Sequence, residues 1–69
     1  MTPDAFTAAG RALHGNHWQS ALARRLGAHR TQVVRFATGL SKIPDDVAER
    51  VRDMLRDRRV EIDRMLTRF

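Results

Sequence analysis

Arg30, Thr31, Val34 and Arg35 stand at spacings of one, three and four residues, which places them together on one side of a helix. Val33, Phe36 and Ala37 then fall on the other side, as a narrow apolar face. A guanidinium holds a phosphate or a guanine edge through two parallel hydrogen bonds, which an ammonium cannot do. No carboxylate occurs between Asp4 and Asp45. A helix with an exposed basic face and no acid nearby can enter the major groove of DNA without repulsion. The same pattern also describes a solvated helix surface, so the elements around it have to decide.

Other chemistry finds little support. Ser20 and Ser41 have no base and acid partners at useful spacing, so no enzyme activity is expected and no catalytic residue is assigned. His14 and His17 are three apart across a Gly-Asn break, without clustered carboxylates or any cysteine, so no metal or other cofactor is expected. Trp18 could stack on a base, but its helical spacing with Leu22 and Leu26 favours a core position.

The net charge of +5 is unevenly placed. Residues 1–44 hold five Arg and one Lys against Asp4 alone, whereas residues 45–69 hold seven Arg and seven acids. The whole excess therefore lies in the part that contains Arg30 and Arg35, which favours a polyanionic partner. Arg supplies 12 of the 13 basic residues, a bias that a GC-rich genome also produces.

These residues need elements to position them. Thr2-Pro3-Asp4 reads as a helix start: Thr caps, Pro suits the first turn and Asp faces the positive end of the dipole. Phe6, Ala9 and Leu13 form its apolar stripe, Gly10 weakens it slightly, and Gly15 can end it in the left-handed conformation. Asn16 is the expected cap of a second helix, with Gln19 in capping-box position. Trp18, Leu22 and Leu26 are its inward face, and Gly27 stops it. A third helix is expected from about Arg30 to Thr38, closed by Gly39.

After the loop Gly39-Leu40-Ser41-Lys42-Ile43, Pro44 opens a fourth segment with Asp45 and Asp46 in its first turn. Val47, Val51, Met54 or Leu55, Ile62, Met65 or Leu66, and Phe69 fall on one stripe. Asp46 with Arg50 and Arg59 with Asp63 are expected ion pairs one turn apart. Arg58 and Arg59 interrupt the stripe and read as solvated, or as pairing with acids across a dimer interface. One long helix is preferred over two with a bend. No strand is expected, so the fold class is all-α.

The second and third helices meet at Gly27-Ala28-His29. Such a turn makes them cross steeply, and Leu22, Leu26, Val33 and Phe36 close the wedge between them. Small Ala23 lets the third helix approach.

The segment LARRLGAHRTQVVRFATG resembles the helix-turn-helix of the lambda repressor/Cro-like (XRE) regulators. Leu22, Ala23, Leu26, Gly27, Val33 and Phe36 carry the likeness. The following TGLSKIPDDVAERVRDML is similar to a segment of the anti-CRISPR-associated (Aca) autorepressors, where it leads into a dimerising helix. His29 departs from the family, which often has Ser or Thr as the cap of the recognition helix.

The resemblance implies roles by position. Arg30, Thr31, Val34 and Arg35 would face base edges: an Arg on guanine O6 and N7, Thr31 on either kind of partner, Val34 on a thymine methyl. Gln32, at the edge of this face, is a weaker candidate. His17, Gln19, His29, Thr38, Ser41 and Lys42 would hold phosphates and set register. Arg24 and Arg25 would add to the field.

The chain thus reads as one domain, with residues 2–43 as the DNA-binding core and 44–69 as the dimerisation element. The fold expected is an all-α helix-turn-helix bundle of four to five helices with a long C-terminal dimerisation helix. Val51, Leu55, Ile62, Met65, Leu66 and Phe69 are the expected dimer contacts. The partners expected are a palindromic double-stranded operator and a second copy of the chain, with no membrane and no small-molecule ligand. The function expected is a homodimeric transcriptional repressor autoregulating a phage or mobile-element (anti-CRISPR) operon in the bacterial cytoplasm. The alternative is an antitoxin-like protein-binding module with secondary DNA binding.

Overall fold

Thr2 lies in extended backbone, and its Oγ1 accepts the Ala5 N–H at 3.1 Å, which launches the first helix. In the computed structural model, which describes residues 1–69, α1 spans Pro3–His14. A 3-10 turn, Gly15–His17, leads into α2, Trp18–Leu26. Then come α3, Arg30–Thr38, and α4, Asp45–Leu66. The chain is all-helical, and no helix is long and apolar enough to cross a membrane.

The core is a single cluster fed by every α-helix: Phe6 and Leu13 from α1, Trp18 and Leu22 from α2, Val33 and Phe36 from α3, and Val51 and Met54 from α4. Phe6 is its centre. Its ring meets the rings of Trp18 and Phe36 edge to face, with centroids 5.8 Å and 5.6 Å away. Burying such side chains contributes about 1.5–3 kcal/mol each.

Several local expectations give way here. Asn16 does not cap α2. It sits inside the 3-10 turn, α2 starts at Trp18, and no side chain caps it. The cause is Gly15, which takes φ 77° and ψ −153° rather than the left-handed helical conformation. That geometry sends the chain through a tight turn before α2 begins.

Gly10 is more than a weak helix former. It is buried, and a Cβ there would lie 2.1 Å from Trp18 Cε3, so the indole packs directly on its backbone.

On α4, Arg58 and Arg59 do not bend the helix, which is continuous over its 22 residues. The expected pairs Asp46–Arg50 and Arg59–Asp63 are not formed. The pairs present are Arg52–Glu49 and Arg56–Asp53, both well exposed, and Arg58–Glu61, in which Arg58 is partly covered. Arg58 is not merely solvated. Its Nη1 donates to the Leu13 carbonyl at 2.9 Å, at the C-terminal end of α1. The molecule measures 43 × 22 × 21 Å because α4, about 33 Å long at 1.5 Å per residue, runs past the core.

Candidate nucleic-acid interface

The joint between α2 and α3 is built almost wholly from backbone. Gly27 adopts φ 68° and ψ 30°, a conformation that only glycine reaches without strain. The Ala28 N–H returns to the Ala23 carbonyl at 2.9 Å and the Gly27 N–H to Arg24 at 3.3 Å. This is the paired Schellman closure of a helix end. Two further carbonyls remain, those of Arg25 and Leu26. Arg50 of α4 takes both, Nη2 at 2.9 Å and Nη1 at 3.0 Å. No spacing pattern marks Arg50 in the sequence, because its partners are main-chain atoms more than twenty residues away.

Beyond the turn, α3 begins without a side-chain cap and without an acid in its first turn. His29 is exposed and contributes only its carbonyl, which accepts the Gln32 and Val33 N–H groups at 3.0 and 3.3 Å. Val33 and Phe36 are buried, and Ala37 packs against the core. At about 100° per residue, Thr31 and Arg35 lie opposite that apolar side. Both are exposed, as is Arg30. Arg30 lies about 60° around the helix from Val33 and reaches solvent from the first turn, so Arg35 is the more central of the two arginines. Val34 and Gln32 are half-buried on the flanks.

The residues expected to hold phosphates divide between two elements. His17 and Gln19 stand at the entrance to α2, His17 exposed and Gln19 half-buried. Thr38, Ser41 and Lys42 lie at the other end of α3 and in the loop after it. Lys42 is exposed and Ser41 half-buried, with its N–H on the Arg35 carbonyl at 3.2 Å. Thr38 already uses its hydroxyl proton on the Val34 carbonyl at 2.9 Å. A phosphate only accepts, so Thr38 has to break that bond before it can serve one. The loop is pinned by buried Ile43, and Gly39 passes close to Pro3 of α1. Leu40 is exposed in this loop.

The set expected to make dimer contacts splits. Val51 is 0% exposed and belongs to the subunit's own core, so it cannot meet a second chain. Leu55 is half-buried against the same core. Ile62, Met65, Leu66 and Phe69 are exposed, from about half to 99%. Ile62, Met65 and Leu66 continue the helical stripe of Val51 and Met54 beyond the end of the core, and Phe69 follows just after α4 ends. Val60, on the opposite side of α4, is exposed as well.

His14, at the end of α1, has an Nε2 that is shielded from solvent and has no hydrogen-bond partner. Burial first, then the charges of Arg25 and Arg58, hold its pKa below the ordinary 6.5. No three His, Asp or Glu side chains converge as a metal site.

A scan of protein-family models, a search of curated proteins and a search of solved structures each return no match to this chain.

Proposed function

We propose that this protein is a sequence-specific DNA-binding repressor of the lambda repressor/Cro-like kind, with α2 and α3 as its helix-turn-helix and α3 as the recognition helix. The observation that carries this reading is the outward side of α3. Thr31 and Arg35 are exposed there, on a helix whose other side is locked into the core, and Arg30 is exposed beside them in the first turn. Neither α2 nor α3 carries a carboxylate, so nothing on either helix repels a phosphate backbone.

In this reading Arg35 and Arg30 donate to guanine O6 and N7, Thr31 hydrogen-bonds a base edge and Val34 contacts a thymine methyl. Lys42, His17, Gln19, His29 and Ser41 position the protein on the phosphates, and Thr38 joins them once its hydroxyl is released. One recognition helix makes few base contacts. Two copies joined through Ile62, Met65, Leu66 and Phe69 at the exposed end of α4 double them. Such a dimer reads half-sites about 34 Å apart, arranged as an inverted repeat. Repression then follows from occlusion of RNA polymerase. In this reading, which the resemblance of the TGLSKIPDDVAERVRDML segment to the Aca autorepressors supports, the site lies upstream of the protein's own operon, of phage or mobile-element origin.

The test is a gel shift with the DNA upstream of its own gene against a scrambled duplex of equal length, at several salt concentrations. Tight binding to the upstream fragment alone, by two subunits, supports the reading. Equal and strongly salt-dependent binding to both reduces it to a basic surface. A partner protein that co-purifies from the native cell would then favour the antitoxin-like alternative.

A further inference from the structure

We propose that Arg50 is a positioning residue that fixes α3 relative to α4 and so sets the half-site spacing a dimer accepts. This rests on the function proposed above.

The last four carbonyls of a helix have no partner inside it. In α2 all four are satisfied, two by the turn amides and two by the guanidinium of Arg50. The planar fork suits two successive carbonyls, and its charge suits the negative end of the α2 dipole. Asp46 lies one turn before Arg50 on α4, yet the three ion pairs of that helix leave Arg50 out. Its guanidinium is committed to α2. The side-chain hydrogen bonds from α4 to other elements are those of Arg50 to α2 and that of Arg58 to α1. Arg50 is therefore the polar tie between α4 and the turn that launches α3.

Besides the Arg58 bond to α1, the rest of the α4 contact is apolar, through Ala48, Val51 and Met54. Crossing angles set by apolar packing scatter by about 15–20° from one helix pair to another. From Arg50 to Ile62, where the exposed stripe resumes, α4 is an unbroken lever about 18 Å long. A tilt of about 10° at its base displaces the far end by about 3 Å. That is close to the ~3.4 Å step from one base pair to the next. One base pair also rotates a half-site by about 35° around the DNA axis, so a neighbouring spacing requires a tilt in both subunits, which two hydrogen bonds to fixed carbonyls resist.

The experiment compares the wild type with Arg50→Met, which keeps the stem without donors, and Arg50→Lys, which keeps the charge without the fork. The probes are an inverted repeat selected from a random duplex pool, the same repeat with one base pair added or removed between its halves, and an isolated half-site. Circular dichroism at the binding temperature establishes that each variant is folded. For the wild type, a one-base-pair change of spacing is expected to weaken binding at least about tenfold, equivalent to about 1.4 kcal/mol. In Arg50→Met that ratio is expected to fall to about threefold or less, with half-site affinity unchanged, and Arg50→Lys should not restore it. A wild type that ignores spacing, or an Arg50→Met variant that keeps the wild-type ratio or loses half-site binding equally, overturns the proposal while leaving the DNA-binding reading intact. A wild type that prefers no repeat over scrambled duplex overturns both.

Discussion

Replacing Gly10 by Ala is expected to destabilise the fold by about 2–4 kcal/mol, although Ala is the better helix former. The added Cβ would stand 2.1 Å from Trp18 Cε3, 2.6 Å from Cδ2 and 2.7 Å from Cζ3. Carbon atoms pack best at about 3.5–4.0 Å, so the ring has to retreat by about 1.4 Å. It has nowhere to go. Trp18 is 2% exposed and its edge-to-face neighbour Phe6 is fully buried. Because the ring cannot retreat, the cost is that of losing a large aromatic's packing, about 3–5 kcal/mol. Helix propensity returns about 1 kcal/mol. The remainder is a large share of the ~3–10 kcal/mol expected for a chain of this size. Trp18 is the only tryptophan, so its emission reports the displaced ring directly. Urea unfolding at fixed protein concentration gives the free energy. Ala12→Gly, at an exposed position of the same helix, calibrates the propensity term at about 1 kcal/mol. A Gly10→Ala protein as stable as the wild type, with unchanged emission, would refute the packing of α2 on α1 and with it the placement of the α2–α3 pair.

Other consequences are equally measurable. Arg35→Ala should weaken binding to a selected operator by about 1–3 kcal/mol per half-site and relax the base preference there. Lys42→Ala should weaken all sequences alike and reduce the salt slope by about 2 for a dimer, read from anisotropy titrations at several salt concentrations. Leu66→Ser should leave the subunit folded and shift sedimentation equilibrium toward monomer. Val51→Ala should instead cost about 2 kcal/mol of folding stability, because Val51 is core. His14 resists protonation in the fold, while the unfolded chain takes its proton near 6.5. Its stabilising contribution is therefore complete above that pH and is lost as the pH falls through 6.5 toward the lowered folded value. The urea midpoint should drop over that window, and His14→Gln should flatten the drop.

Much of the architecture is legible in local chemistry. Thr2 caps α1, and Gly27 and Gly39 stop their helices in the left-handed conformation, because each is decided by residues within a turn of it. The bounds of α3 and the outward place of Arg35 follow from those stops and from Val33 and Phe36. What escapes the sequence is decided at a distance. The need for Gly at position 10 appears only once Trp18 arrives against it. Arg50 and Arg58 spend their donors on main-chain carbonyls of other helices, which leave no pattern in side-chain spacing. A periodic stripe on α4 shows which residues are apolar but not whose core they fill. Val51 therefore reads like Ile62, yet one is buried in its own subunit and the other is not. Asn16 has the right type and spacing for a cap, and the backbone of Gly15 overrides both.

The central claim, that the outward side of α3 reads bases, is tested most directly by selection. Random duplexes would be enriched in parallel on the wild type and on Arg35→Ala, and the enriched complexes weighed for stoichiometry. The account predicts an inverted repeat bound by two subunits for the wild type. It also predicts loss of base preference at one symmetric pair of positions for Arg35→Ala. No enriched sequence, or the same sequence enriched by both proteins, would contradict it.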